Sequence, residues 1–142
     1  MSSSKIVIEA GVEDVRKVLF DIAGYPNWSR SIKEAVVESA DESGRPLQIR
    51  LKIEAGMLRD NPTLEYDWSA APDKVSFKLI DANLLTQMDG TYLVKAIGSD
   101  ETEVTYELDT NVNMPIPKPM LQSAELATIK AALDELKEKI EN

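Results

Sequence analysis

The sequence predicts an α+β fold: a curved antiparallel sheet of about seven strands around a long C-terminal helix, with two short helices after the first strand. Three observations lead there. Leu47, Ile49, Leu51 and Ile53 alternate with Gln48, Arg50, Lys52 and Glu54, the period-two pattern of a half-buried strand. Beyond Pro115, Pro117 and Pro119, Leu126, Ile129, Leu133, Leu136 and Ile140 recur on one helical stripe, which must cover an apolar surface. Short turn-like pieces separate the alternating segments at hairpin spacing.

The elements follow in order. Met1–Ser4 is expected to be loose, and Lys5–Glu9, short and β-branched, to be the first strand. Val12, Val15, Val18, Leu19 and Ile22 then recur every three or four residues, a short amphipathic helix ended by Gly24, Tyr25, Pro26 and Asn27. Period two returns from residue 32 and persists through Leu64, Tyr66 and Trp68, through Val75, Phe77 and Leu79, through Tyr92 and Val94, and through Val104, Tyr106 and Leu108. Asp41–Pro46, Arg59–Pro62, Ala71–Lys74 and Gly98–Glu101 are the intervening turns of a meander. The sheet, apolar on one face and charged on the other, is the only surface large enough to receive the final helix.

Composition narrows the function. At 142 residues without a proline- or glycine-rich break, the chain reads as one domain, residues 1–142. Sixteen Lys and Arg against 25 Asp and Glu give a net charge of −9, a balance that repels phosphate backbones and anionic lipid, so no nucleic-acid partner is expected. With neither cysteine nor histidine, disulfides, thiolate chemistry, the usual zinc ligands and the commonest general base all fall away. No cofactor is expected. Ile6–Ile8 is too short for a membrane span or signal peptide, which reads as a cytoplasmic protein, monomer or homodimer.

Tyr25, Pro26, Asn27 and Trp28 after the first helix resemble the Tyr-Pro-x-Trp element of the START-like superfamily, in particular its polyketide cyclase/dehydrase and coenzyme Q-binding branch. The strand Ile32–Ser39 follows it as in that family. Met88, Asp89, Gly90 and Thr91 leading into Tyr92, and Val104–Leu108 running into a proline-containing linker, are similar as well. The resemblance spans nearly the whole chain and implies a helix-grip fold with a hydrophobic cavity. The family holds carriers, cyclases and protein-binding members, so fold alone does not choose among them.

A ligand site follows from topology. In a meander, alternate turns gather at one pole, so Met57–Pro62, Asp81–Thr86 and the linker Asn111–Pro119 should form a mouth beside the first turns of the last helix. Asp81 continues the inward phase of Val75, Phe77 and Leu79, and Thr110 that of Val104, Tyr106 and Leu108. Gln122 falls near the centre of the helix stripe, four residues before Leu126, where a polar amide needs a partner. Glu125, roughly 60° from that centre, is expected to be solvated. Met57 and Met88 are adaptable gap fillers, and Trp68, Phe77, Leu79, Tyr92, Tyr106 and Leu126 are core or cavity wall.

Three functions remain open. The first is carriage or sensing of an apolar small molecule, polyketide-, lipid- or quinone-like, in a cavity of ~300–1,000 Å³. The second is a cyclase or dehydratase working through Tyr92, Tyr106, Asp81 and Glu125, because burial raises a carboxyl pKa toward neutrality. The third is a protein-interaction module.

Overall fold

Each alternating segment becomes a strand, and every strand pair is antiparallel. The computed structural model describes residues 1–56 and 58–142. Its strands are β1 (Ser2–Ile8), β2 (Ile32–Ala40), β3 (Pro46–Ala55), β4 (Leu58–Asp60), β5 (Thr63–Asp67), β6 (Lys74–Asp81), β7 (Leu85–Gly98) and β8 (Glu101–Val112). They form one eight-stranded sheet in the order β1-β8-β7-β6-β5-β3-β2, with β4 on β3. Helix α1 (Val12–Leu19) and a 3-10 helix (Ile22–Asn27) connect β1 to β2, and α2 (Lys118–Glu141) ends the chain. This is the helix-grip arrangement.

The departures from expectation are local. The first strand begins at Ser2, because β8 would otherwise leave an unpaired edge; Ser2 lies opposite Leu108 and Ile8 opposite Thr102. Ladder hydrogen bonds there outweigh the weak strand preference of three serines. The expected Arg59–Pro62 turn is displaced by β4, an eighth strand, and Gly56 sits at the start of that reversal with φ of +63°, a conformation glycine takes without a Cβ clash. Gly24–Asn27, read as the end of the first helix, belongs to the 3-10 helix, the second of the two short helices expected after the first strand.

Helix α2 packs on β1, β8 and α1. Ile129, Leu133 and Leu136 on its inner face are 0–2% exposed, as are Ile8, Leu19 and Val104 across from them. The sheet curves away beyond β8, so strands β3, β5 and β6 face the helix across a gap. Aromatic rings from Tyr66, Phe77, Tyr92 and Tyr106 project into it, each 5–6% exposed.

One close approach shapes that gap. The outer end of the Phe77 ring lies against Gly90 of the neighbouring strand, its register partner, and a Cβ on residue 90 would fall far inside contact distance of the ring. Glycine is therefore required for Phe77 to stand where it does. Gly90→Ala should lower stability by about 1–3 kcal/mol through overpacking, read as a reduced Tm, and adding Phe77→Leu should recover most of the loss. Equal destabilisation in the single and double variants would show that the ring is not the cause.

Candidate functional site

Between the uncovered concave face and α2 lies a cavity of about 150 Å³. That is close to the volume of an apolar cavity able to take one benzene ring, and well below the size expected from the sequence. Leu51, Ile53, Leu64, Tyr66, Phe77 and Tyr92 line it from the sheet, Leu121, Glu125, Thr128 and Ala132 from α2, and Tyr25, Trp28 and Ser29 from the 3-10 helix and the residues after it. Small residues on α2 leave the room, and aromatic residues on the sheet wall it.

The aromatic wall is ordered by cross-strand pairing. Tyr92 and Tyr106 are register partners whose rings stack 4.0 Å apart at 14°. Tyr66 and Phe77, partners on β5 and β6, meet at 5.4 Å. Tyr25 packs edge-on against Trp28 at 4.9 Å and donates its hydroxyl to the Leu19 carbonyl at 2.5 Å. Burial pushes all four tyrosine hydroxyls above their ordinary pKa, neighbouring phenols push three of them further, and at Tyr106 the adjacent Tyr92 hydroxyl offsets part of the rise. They stay neutral donors throughout the physiological range.

Two buried carboxylates hold the mouth. Glu125 is 4% exposed; its Oε1 accepts from the Ser2 hydroxyl at 2.8 Å and its Oε2 from the Thr110 amide and hydroxyl, both at 2.5 Å. Burial alone raises its pKa, but the Thr110 and Ser2 bonds outweigh that and hold the group below the usual carboxylate range. Asp60, 3% exposed, accepts from four backbone amides, of Asn61 and Asn83 on Oδ1 and of Leu84 and Leu85 on Oδ2, at 2.7–2.9 Å. Its pKa is likewise raised by burial and lowered further by those amides, with a net fall. Asn113 donates its amide to the Leu84 carbonyl at 2.8 Å, so β4, the loop before β7 and the linker before α2 meet at one pole.

The residues singled out from sequence divide. Phe77, Met88, Tyr92, Tyr106 and Thr110 line the cavity; Met57 lies outside the described residues. Trp68, although buried, stands at the opposite end of the sheet, edge-on to Phe20 at 5.6 Å with its indole N–H on the Pro46 carbonyl at 2.6 Å. Leu79 and Leu126 are half-buried and off the cavity. Asp81 is exposed: the register slips between Thr63 opposite Asp81 and Leu64 opposite Leu79, and the extra residue, Ile80, turns Asp81 out of the inward phase. Gln122 is exposed too. At about 100° per residue, Leu121, Glu125 and Thr128 lie roughly 40–100° to one side of Ile129, whereas Leu133 and Ile140 lie roughly 20–40° to the other. The face turned to the sheet thus drifts around α2 toward its N-terminus, away from Gln122 and onto Glu125.

Tyr25, Tyr66, Ser29 and Ser2 join the site without having been assigned to it from sequence, and Glu125, expected to be solvated, is buried in it. Tyr66 was visible as an inward position between Leu64 and Trp68. The partnership of Ser2 with Glu125 spans 123 residues and carries no local signal.

A family model described as polyketide cyclase/dehydrase and lipid transport matches residues 2–141. Among solved structures, a START superfamily protein from Mycobacterium smegmatis is similar with a TM-score of 0.93 and 23% identity over 99% of this chain and 96% of that one. The Zhui aromatase/cyclase of Streptomyces sp. R1128 follows at 0.85 and 14%, over 99% and 92%. A protein from Thermus thermophilus gives 0.83 and 19%, over 97% and 94%. No curated protein matches. No described helix is long and apolar enough to cross a membrane.

The two carboxylates set the acid behaviour. Both have folded pKa values below their ordinary ones, so the stability they contribute is complete above the unfolded pKa of about 4 and is lost as pH falls through the lower folded value. Asp60→Asn should cost about 1–3 kcal/mol at neutral pH by leaving amides poorly matched, and should flatten the loss of stability as pH falls from about 4 through the lower folded value. Denaturant titrations from neutrality through that range check both effects. An unchanged acid limb would remove Asp60 from the mouth's support.

Proposed function

The chain belongs to the polyketide cyclase/dehydrase and lipid transport family, and from that premise we propose that it binds an apolar small molecule between sheet and α2 as a carrier or sensor. The observation that supports this best is the cavity itself: a mainly apolar space beside buried phenols, between the sheet and the helix it grips. The cyclase reading has less to draw on. Of its two candidate carboxylates, Asp81 is on the surface, and both oxygens of Glu125 already accept hydrogen bonds. The phenols are held far from neutrality by burial, whereas a general acid or base works best with a pKa near the operating pH.

A ligand larger than about one ring requires the mouth to widen. The linker before α2 and its first turn are the parts built to move. Helix α2 starts at Pro117 without a side-chain cap, and Met114 and Met120 are 42% and 62% exposed. Binding would be entered there, with Asp60 keeping the opposite lip in place.

Filling the cavity tests the proposal. The neutral dye N-phenyl-1-naphthylamine should bind the unmodified protein with enhanced fluorescence, and Ala132→Phe, which projects a ring into the void, should weaken it at least about tenfold while the circular dichroism stays native. Full affinity in that variant, or no uptake by the unmodified protein, would overturn the reading.

A further inference from the structure

We propose that this cavity accepts uncharged aromatic compounds of one or two rings and rejects carboxylates of the same shape. The inference rests on the binding reading above and narrows it to a class of ligand.

Charge carries it. Among the described residues lining the cavity none is Lys or Arg, and the chain has no histidine. Glu125 is the one charged group in the lining, and it is negative and buried. The positive charge felt at Glu125 is the N-terminal ammonium, which is exposed and lies 3.8 Å from Asp109. An anionic head entering here would lose its hydration, meet a like charge and find no cation. Fatty acids, phosphorylated lipids and carboxylated aromatics are all disfavoured on that ground, whatever their apolar part.

The uncharged polar groups fit a neutral guest. Several hydroxyls are already committed: Tyr25 to the Leu19 carbonyl, Thr128 to the Ala124 carbonyl at 2.9 Å, and Thr110 to Glu125. The phenols of Tyr66, Tyr92 and Tyr106 remain as donors on the aromatic wall. They satisfy a ketone, quinone or phenol oxygen without supplying net charge. Stacked and tilted rings on that wall favour a flat skeleton over a branched one, and the size of the closed cavity limits that skeleton to one ring before the mouth moves.

Two ligands of one shape decide the matter: 2-acetylnaphthalene, which is neutral, and 2-naphthoate, which is ionised at pH 7.5. Quenching of Trp28, with Trp68→Phe as the background to remove the second indole, reads both affinities in the full chain. The expected result is a ketone Kd at least about tenfold lower than that of the acid, the size a desolvated like charge imposes. Glu125→Gln should narrow the gap from the acid side. Equal affinities would overturn the selectivity and leave the binding reading standing; binding of neither compound would overturn both. The comparison in unmodified Glu125 decides the proposal even where the glutamine variant folds poorly.

Discussion

The packing of α2 along β1 and β8 is the contact on which the remaining structure depends. It fixes the helix at one side of a sheet that curves away from it, and a curved surface cannot be covered along its whole width by one straight cylinder. The uncovered strands therefore present their inward residues to a gap. Natural cores close such gaps with large side chains; here four tyrosines, a phenylalanine and a tryptophan do most of it. What they leave is enclosed by Ala132 and Thr128 on the helix, residues too small to reach across.

Polar groups in this interior serve position before chemistry. Asp60 ties two turns together through four amides, and Glu125 ties the start of α2 to β8 and β1 through three donors. Both carboxylates are compensated chiefly by hydrogen bonds, with the N-terminal ammonium adding a smaller part at Glu125, an arrangement that keeps a buried carboxylate ionised. Glu125 has a second consequence, because it gives an otherwise neutral cavity a negative end. Its structural duty and its influence on ligand charge are thus inseparable, and substitutions there need a stability measurement alongside any binding measurement.

Much of the fold was legible because it is written in periods. Period two located the strands, and the alternation of turns foresaw that β4, the loop before β7 and the linker before α2 meet at one pole. The errors arose where a local rule was overridden by a distant partner. Ser2–Ser4 reads as a loose end but completes β8; Asp81 was carried inward by a count that a bulge at Ile80 breaks; and Gln122 lay at the centre of a stripe that turns as α2 crosses the curved sheet. Periodicity gives the direction of a side chain relative to its own element. It does not give the angle at which two elements cross, and in this protein that angle exchanges Gln122 for Glu125.

The central claim is that a real, mainly apolar void lies between α2 and the aromatic wall. Xenon tests it most directly, since dry apolar cavities of this volume take up the gas without rearrangement. Diffraction from a crystal under xenon pressure should show an ordered atom between Tyr66, Phe77 and Ala132. A core closed by side chains, with xenon absent from that position, would contradict the claim and return those aromatics to the role of plain packing.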